Sequence, residues 1–156
     1  MKKTTKLIAL LLAALMLMTS VAFAATGSKE EPSKKKETGR YTEYITYSDN
    51  TATLIGTKKS TYKHKTTKVL KTTTIKGKTY TITKIGKNAF AKMKKLKVVK
   101  VYATKALKVQ KGAFGKLNTK KITVKVTKKM SKKEFKKFKK NLRKAGFKGK
   151  IVRVKL

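Results

Sequence analysis

The pattern of apolar and polar positions changes several times along the chain. Residues 7–18 are an unbroken apolar run, and residues 25–40 are a polar tract without a large apolar residue. From residue 41 onwards, short β-branched and aromatic runs alternate with turn residues, which is typical of strands and hairpins. Only residues 131–146 have the spacing of an amphipathic helix. The pattern predicts a β-rich domain that starts near residue 41 and carries one helix near its C-terminal end.

Turn residues separate the first apolar runs of this domain. Ser48, Asp49 and Asn50 lie between the runs 44–47 and 52–55, and Gly77 lies between the runs 73–75 and 80–83. Asp, Asn, Ser and Gly are the residues that tight turns favour. The segment 41–79 is therefore predicted to form β-hairpins.

One short motif occurs twice after these hairpins. Residues 85–91 and 109–115 each have an aliphatic residue, three mostly polar residues, Ala-Phe and a small residue, and they begin 24 residues apart. A repeat of this length indicates stacked units that share one core. Strict alternation over residues 122–126 predicts a half-buried strand after the second unit. The predicted core residues of the repeats are Ile85, Ala89, Phe90, Leu96, Val99, Val101, Leu107, Val109, Ala113, Phe114, Leu117, Ile122 and Val124.

The C-terminal segment has both start and stop signals of a helix. Ser131 and Glu134 have the spacing of a capping box, and Gly146 is suited to end the helix. The apolar residues between them form one helical stripe: Phe135, Phe138, Leu142 and Ala145. Residues 151–154 are apolar enough to predict a closing strand.

The first repeat unit resembles a known family. Residues 80–90, followed by Met93, Leu96, Val99 and Val101, resemble the BspA-like leucine-rich repeats of secreted and surface proteins of bacteria. The second unit matches less closely, because Val109-Gln110 stands in place of Ile-Gly. The resemblance implies an extracellular, non-enzymatic repeat protein used for adhesion or protein interaction.

Together, the pattern and the resemblance predict a fold class and a domain order. We expect an α+β, β-rich fold, namely a short leucine-rich-repeat solenoid with an N-terminal β-hairpin cap and a C-terminal helix cap. The expected segments are a signal peptide at 1–24, a flexible linker at 25–40, the hairpin cap at 41–79, the repeats at 80–126 and the helix-strand cap at 127–156.

The N-terminal segment adds a cellular location. Lys2, Lys3 and Lys6 precede the apolar run, and Ala22-Phe23-Ala24 has the form of a cleavage site. The apolar run is shorter than the roughly 20 residues that span a bilayer. We therefore expect a secreted, extracellular protein, either released or retained at the cell surface, without a transmembrane segment after cleavage.

Charge changes the picture of the surface. The 156 residues include 44 Lys and Arg against 6 Asp and Glu, a formal net charge of +38. Charge of this size favours contact with polyanions and opposes compaction by self-repulsion. The chain has no Cys, so disulfides and thiolate chemistry are excluded. We expect a monomer that carries its charge on the outside.

Catalytic chemistry has little support in the sequence. His64 is the single histidine, and zinc needs three or four ligands, so we interpret it as a solvated loop residue. A triad of Ser48 or Ser60 with His64 and Asp49 is formally available, but no nucleophile elbow surrounds either serine. Gly86 and Lys87 lack the rest of a phosphate loop. We expect no enzyme activity, no cofactor and no metal.

The predicted function is therefore non-catalytic binding. The partner is expected to be an extracellular protein or an anionic polysaccharide or teichoic-acid-like polymer; a specific nucleic-acid role is disfavoured because no aromatics interleave the basic faces. A cationic envelope-binding or antimicrobial effector acting by charge is the first alternative, and a hydrolase is the second. The candidate polyanion-binding residues lie on the predicted helix: Lys132, Lys133, Lys136, Lys137, Lys139, Lys140 and Arg143.

Overall fold

The structure, a computed structural model, describes residues 34–156. The predicted signal peptide at 1–24 lies outside the described residues, and of the predicted linker at 25–40 only residues 34–40 are described. Its strands are β1 Lys34–Thr38, β2 Thr42–Tyr47, β3 Thr51–Thr57, β4 Thr66–Val69, β5 Thr72–Ile75, β6 Lys78–Ile85, β7 Val98–Val101, β8 Lys108–Val109, β9 Thr123–Thr127 and β10 Lys150–Val154. Its helix is α1, Lys132–Lys144, and two short 3-10 turns span Lys59–Thr61 and Thr119–Lys121.

The first sheet has six strands. Their order is β1-β2-β3-β6-β5, and β8 pairs with β6 beyond the stretch that β5 occupies. The pairs β1/β2, β2/β3 and β5/β6 are antiparallel, whereas β3/β6 and β6/β8 are parallel. The long strand β6 therefore joins the hairpins to the first repeat unit.

The second sheet has four strands in the order β10-β9-β7-β4, and all of them are parallel. Parallel neighbours need crossover connections, and the chain between β7 and β9 makes its crossover through β8 of the first sheet. Buried residues of both sheets form one hydrophobic cluster. The outer faces of the sheets are left for solvent or ligands.

The predicted leucine-rich-repeat solenoid with hairpin and helix caps is wrong. The described chain is a mixed α/β fold of two sheets, with six and four strands, and one helix. The two repeat units supply only part of these sheets, because β1 to β5 and β10 come from segments outside them. The described residues all belong to a single compact unit, so hairpins, repeats and helix share one core.

The predicted linker also extends too far along the chain. Lys34–Thr38 form β1, which pairs with β2 in an unbroken antiparallel register. The segment has no apolar residue to signal a strand, and its order comes from backbone pairing with a neighbour that is itself well packed. Glu37 adds ion pairs to Lys35 at 3.6 Å and to Lys76 at 3.5 Å.

The turn between β2 and β3 is held by its own polar residues. Asp49 Oδ1 accepts hydrogen bonds from the backbone N–H of Thr51 at 2.9 Å and from the Thr51 hydroxyl at 2.7 Å. Asn50 has a φ of 59°, in the left-handed region that Asn tolerates better than most residues. The sequence signal for this hairpin thus has a direct physical basis.

The two Ala-Phe motifs stack on each other at the centre of the core. The Phe90 and Phe114 ring centroids are 5.1 Å apart, and Phe147 lies 4.9 Å beyond Phe114. The backbone N–H of Phe90 donates to Ala113 O at 3.0 Å. We call Phe90, Phe114 and Phe147 the aromatic column. Eleven of the thirteen predicted core residues are buried, and the other two, Val109 and Leu117, pack against the cluster while partly exposed.

The small residue that ends each motif is required by this stacking. Gly115 has a φ of 56°, and a Cβ added to it would lie 2.6 Å from the Cβ of Ala91. Real Cβ atoms do not approach so closely, so a larger residue at position 115 would separate the two motifs.

The helix is attached to the loop that precedes β8. Ser131 Oγ accepts from the backbone N–H of Glu134 at 3.2 Å, which is one half of the predicted capping box. Glu134 Oε2 accepts instead from the backbone N–H of Ala106 at 2.6 Å, and Asn141 Nδ2 donates to Leu107 O at 2.8 Å. These two bonds orient α1 so that Phe138 and Leu142 are buried.

Replacing Phe90 with Ala should destabilise the whole domain. Phe90 is 1% exposed and touches the second motif directly. Cutting a buried Phe to Ala costs about 3–5 kcal/mol, a large fraction of the roughly 5–15 kcal/mol of a typical domain. Urea unfolding followed by circular dichroism measures this loss.

Tyr41→Ala is the matched control, because Tyr41 is 52% exposed. We expect its free energy of unfolding to stay within about 0.5 kcal/mol of the wild-type value. A Phe90→Ala protein as stable as the Tyr41→Ala protein would contradict the aromatic column as the centre of the core.

Candidate anion-binding surface

Alternation in the second sheet separates a core face from an outer face. Val69 of β4, Val99 and Val101 of β7, and Val124 and Val126 of β9 are buried. Because successive side chains of a strand point to opposite faces, the residues between these valines point away from the core. They form the outer face of the second sheet.

Three lysines stand side by side on this outer face. Lys68 is paired with Lys100 across β4 and β7, and Lys100 is paired with Lys125 across β7 and β9. Val152 of β10 continues the row opposite Lys125. Adjacent strands lie about 4.8 Å apart, so the backbone positions of these lysines repeat at that spacing along the sheet. We call Lys68, Lys100 and Lys125 the lysine row.

Apart from Lys150 of β10, the residues that flank the lysine row are neutral. On one side, the register places Thr66, Val98, Thr123 and Lys150 next to one another. On the other side, Leu70 and Tyr102 follow the ends of β4 and β7, and the backbone N–H of Tyr102 donates to Val69 O at 2.8 Å. The outer face therefore combines a charged row with hydroxyl groups, one aromatic ring and aliphatic side chains.

The Asp and Glu side chains of the described residues lie away from the lysine row. Glu37 makes the ion pairs with Lys35 and Lys76, and these are the only ion pairs within 4 Å among residues 34–156. Asp49 is bonded within its turn, and Glu134 is bonded to the loop before β8. Glu43 lies on β2 against Gly56 of the first sheet. No carboxylate of the described residues pairs with the lysine row.

The lysine row is an electrostatic cost that an anionic ligand would relieve. Like charges directly opposite on neighbouring strands are destabilising. Lys100 and Lys125 are half-buried, so their charges are less free to diverge than that of exposed Lys68. A linear anion across the strands would meet three positive charges already held in register.

The predicted helical site lies elsewhere on the surface. Lys132, Lys133, Lys136, Lys137, Lys139, Lys140 and Arg143 are all exposed on α1. Arg143 is partly committed, since its Nη1 donates to Phe147 O at 2.7 Å and its guanidinium lies 5.9 Å from the Phe147 ring centroid. The lysines project from a single helix without a neighbouring strand that fixes their spacing.

The residues of the formal triad are all exposed and are not assembled by hydrogen bonds. Ser48 and Asp49 lie in the β2–β3 turn, Ser60 lies in the first 3-10 turn, and His64 follows that turn. Within residues 34–156, no hydrogen bond joins the His64 side chain to Asp49 or to either serine. The same residues contain no group of three or more His, Asp or Glu side chains with metal-site geometry.

Two further findings bear on identity. No helix among the described residues is long and apolar enough to cross a membrane. Comparison of the chain with protein-family models, curated proteins and solved structures finds no match. The resemblance to BspA-like repeats therefore stays a prediction.

The sequence does not predict the lysine row. Lys68, Lys100 and Lys125 are far apart along the chain, and each lies among many other lysines. Only the parallel register of β4, β7 and β9 brings them together. A strict 24-residue repeat would align Lys100 with Val124, whereas the observed register pairs Lys100 with Lys125, so the repeat alone does not predict the row.

Removing the central charge of the row should stabilise the protein at low salt. Lys100→Gln relieves two like-charge pairs, each worth roughly 0.2–1 kcal/mol. We expect about 1 kcal/mol of added stability by urea unfolding at low ionic strength, and a smaller gain at about 1 M salt, where the Debye length is about 3 Å.

Lys111→Gln is the control, because Lys111 is an exposed turn lysine outside the row. It should change stability by less than about 0.5 kcal/mol. Equal effects of the two substitutions, or a Lys100→Gln gain that is insensitive to salt, would contradict the repulsion assigned to the row.

Proposed function

We propose that the protein binds linear anionic polymers, without catalysis, through the outer face of the second sheet. The observation that carries the proposal is the lysine row, three in-register lysines that no described carboxylate neutralises. The sheet already fixes the backbone positions of these lysines in a line. The protein backbone therefore loses little conformational entropy when a polymer with regularly spaced anionic groups binds.

The chemistry of lysine sets the kind of ligand. A lysine ammonium acts as a point charge with little geometric selectivity, so the row favours a repeated carboxylate or phosphate over one particular planar group. Thr66 and Thr123 on one side and Tyr102 on the other supply hydroxyl groups and an aromatic ring. This combination suits an acidic polysaccharide or a teichoic-acid-like polymer.

The extracellular setting is part of the same proposal. It rests on the signal-peptide pattern of residues 1–24 and on the resemblance of residues 80–90 to BspA-like repeats. In this setting the protein would attach to anionic polymers of a cell surface or of the surrounding matrix.

A second candidate is a cationic effector that acts by net charge alone. The observation that favours it is the formal charge of +38, to which seven exposed lysines on α1 contribute. The two candidates differ in whether the position of the charges matters. A binding face depends on the lysine row, whereas a charge effector depends only on the number of lysines.

Two triple variants with equal charge loss separate these candidates. The sheet variant replaces Lys68, Lys100 and Lys125 with Gln, and the helix variant replaces Lys132, Lys136 and Lys139 with Gln. Exposed ion pairs contribute up to about 1 kcal/mol each, so the sheet variant should bind polygalacturonate or a lipid-free teichoic acid roughly 10- to 30-fold more weakly. The helix variant should lose about threefold or less.

Affinity is measured by calorimetry at two salt concentrations, after circular dichroism has shown that both variants remain folded. Equal losses in the two variants would support the charge effector and refute the binding face. A preserved affinity in the sheet variant would refute the proposal directly.

A further inference from the structure

Strand β4 is an edge of the second sheet. Among the described residues it pairs only with β7. The backbone N–H of Val98 donates to Lys65 O at 3.0 Å, and that of Tyr102 donates to Val69 O at 2.8 Å. Backbone groups of a strand alternate between its two neighbours, so residues 65, 67 and 69 are directed to β7. The N–H and C=O groups of Thr66 and Lys68 are therefore directed away from β7.

A groove runs beside this edge. It has a cavity volume of about 560 Å³ and is bounded by Thr66, Thr67 and Lys68 on the β4 side. We call it the edge groove. Its remaining lining comes from three other regions of the chain: Arg40, Tyr41, Thr42 and Tyr44; Thr61 and His64; and Leu70, Thr73 and Thr74.

The edge groove collects the exposed apolar side chains of the domain. Tyr41 is 52% exposed and Leu70 is 46% exposed, and these are the large apolar residues that the described chain leaves exposed. Both line the edge groove. Proteins protect sheet edges with short strands and lysines. The shortness of β4 and the presence of Lys68 fit that protection, but two exposed apolar side chains at the same edge work against it.

The charge around the edge groove is positive. Lys68 lies on its β4 side, and the Arg40 guanidinium lies 5.3 Å from the Tyr41 ring centroid at its opposite side. No Asp or Glu lines the edge groove. A second copy of this chain would bring its own large positive charge to a positive edge, so charge complementarity favours an acidic partner.

We propose that the edge groove binds an extended acidic peptide, which adds to β4 as a fifth strand of the second sheet. Addition of a strand to a free edge uses main-chain hydrogen bonds for affinity and alternate side chains for specificity. Here the free groups of Thr66 and Lys68 supply two donors and two acceptors. This site shares Lys68 with the polymer-binding face, but it also needs the backbone edge of β4 and does not need Lys100 or Lys125.

The register of the sheet specifies the peptide. A residue opposite Lys68 continues the lysine row, so Asp or Glu at that position neutralises the end of the row. Side chains two residues apart share a face, so the next outward residue lies beside Leu70 and should be apolar. The edge groove therefore selects an acidic residue and an apolar residue separated by one position.

The test uses a capped eight-residue peptide of threonine with two aspartates and a leucine at alternate positions, titrated into the whole protein. Lys68→Ala removes one charge and keeps the backbone N–H, and it should weaken binding about fivefold. Lys68→Pro also removes the free N–H. Proline is tolerated at an edge where the N–H faces solvent, and it should weaken binding at least about tenfold further, because a hydrogen-bond donor is lost and the ring obstructs the edge.

The double variant of Lys100 and Lys125 to Gln is the matched control. It removes two charges of the lysine row and leaves the β4 edge unchanged, so peptide affinity should stay within about threefold, as screened charges at this distance contribute little. Loss of polymer binding with retained peptide binding in this variant would support two separate sites.

A second measurement does not depend on the folding of any variant. Two peptides are N-methylated at alternate residues, one on the odd positions and one on the even positions. Only one of these sets faces β4 in an added strand, so one peptide should lose binding and the other should retain it. Equal binding of both peptides, or equal affinities of Lys68→Ala and folded Lys68→Pro, would overturn strand addition. Self-association of the protein through this edge without peptide would overturn the acidic occupant.

Discussion

Repulsion among lysines is the constraint on which this structure depends. The chain has 44 basic residues and 6 acidic ones, so ion pairs cannot organise the fold. Of the Asp and Glu side chains within the described residues, Glu37 forms ion pairs on β1 and Asp49 accepts hydrogen bonds within a turn. Glu134 bonds the start of α1 to the loop before β8, and Glu43 lies on β2. The cohesion of the domain must therefore come from apolar burial, and the lysines must face outward.

The core meets this demand by connecting both sheets and the helix. Buried side chains from every layer join one cluster, and the aromatic column passes from the first motif through the second to Phe147, beyond α1. Because the column links segments that are distant along the chain, its loss would affect both sheets together. The same packing holds β4, β7 and β9 in the register that creates the lysine row.

Local sequence signals predicted the repeat core and the N-cap of α1 because each depends on neighbouring residues. Phe90 and Phe114 lie at equivalent motif positions, and Ser131 caps the N–H of Glu134 as its spacing suggests. The strand β1 was not predicted because it has no apolar pattern, although it pairs with β2, which begins only a few residues later. Features that depend on pairing between distant segments were not predictable either. The solenoid prediction failed for this second reason, since six of the ten strands lie outside the repeat units.

The candidate site also depends on pairing between distant segments, which the sequence does not predict. The sequence showed an abundance of lysines and directed attention to α1, where they are consecutive. The structure adds position: three lysines on three strands become neighbours, and the exposed Tyr41 and Leu70 line the same groove beside β4. Net charge explains attraction to any polyanion, whereas a line of lysines on a rigid sheet defines a particular binding surface.

The most direct test of that place is lysine acetylation measured by mass spectrometry, with and without a bound anionic polymer. We expect the polymer to slow acetylation of Lys68, Lys100 and Lys125 several-fold and to leave acetylation of Lys136 and Lys139 on α1 nearly unchanged. Equal protection of both groups, or protection confined to α1, would contradict the outer face of the second sheet as the binding surface.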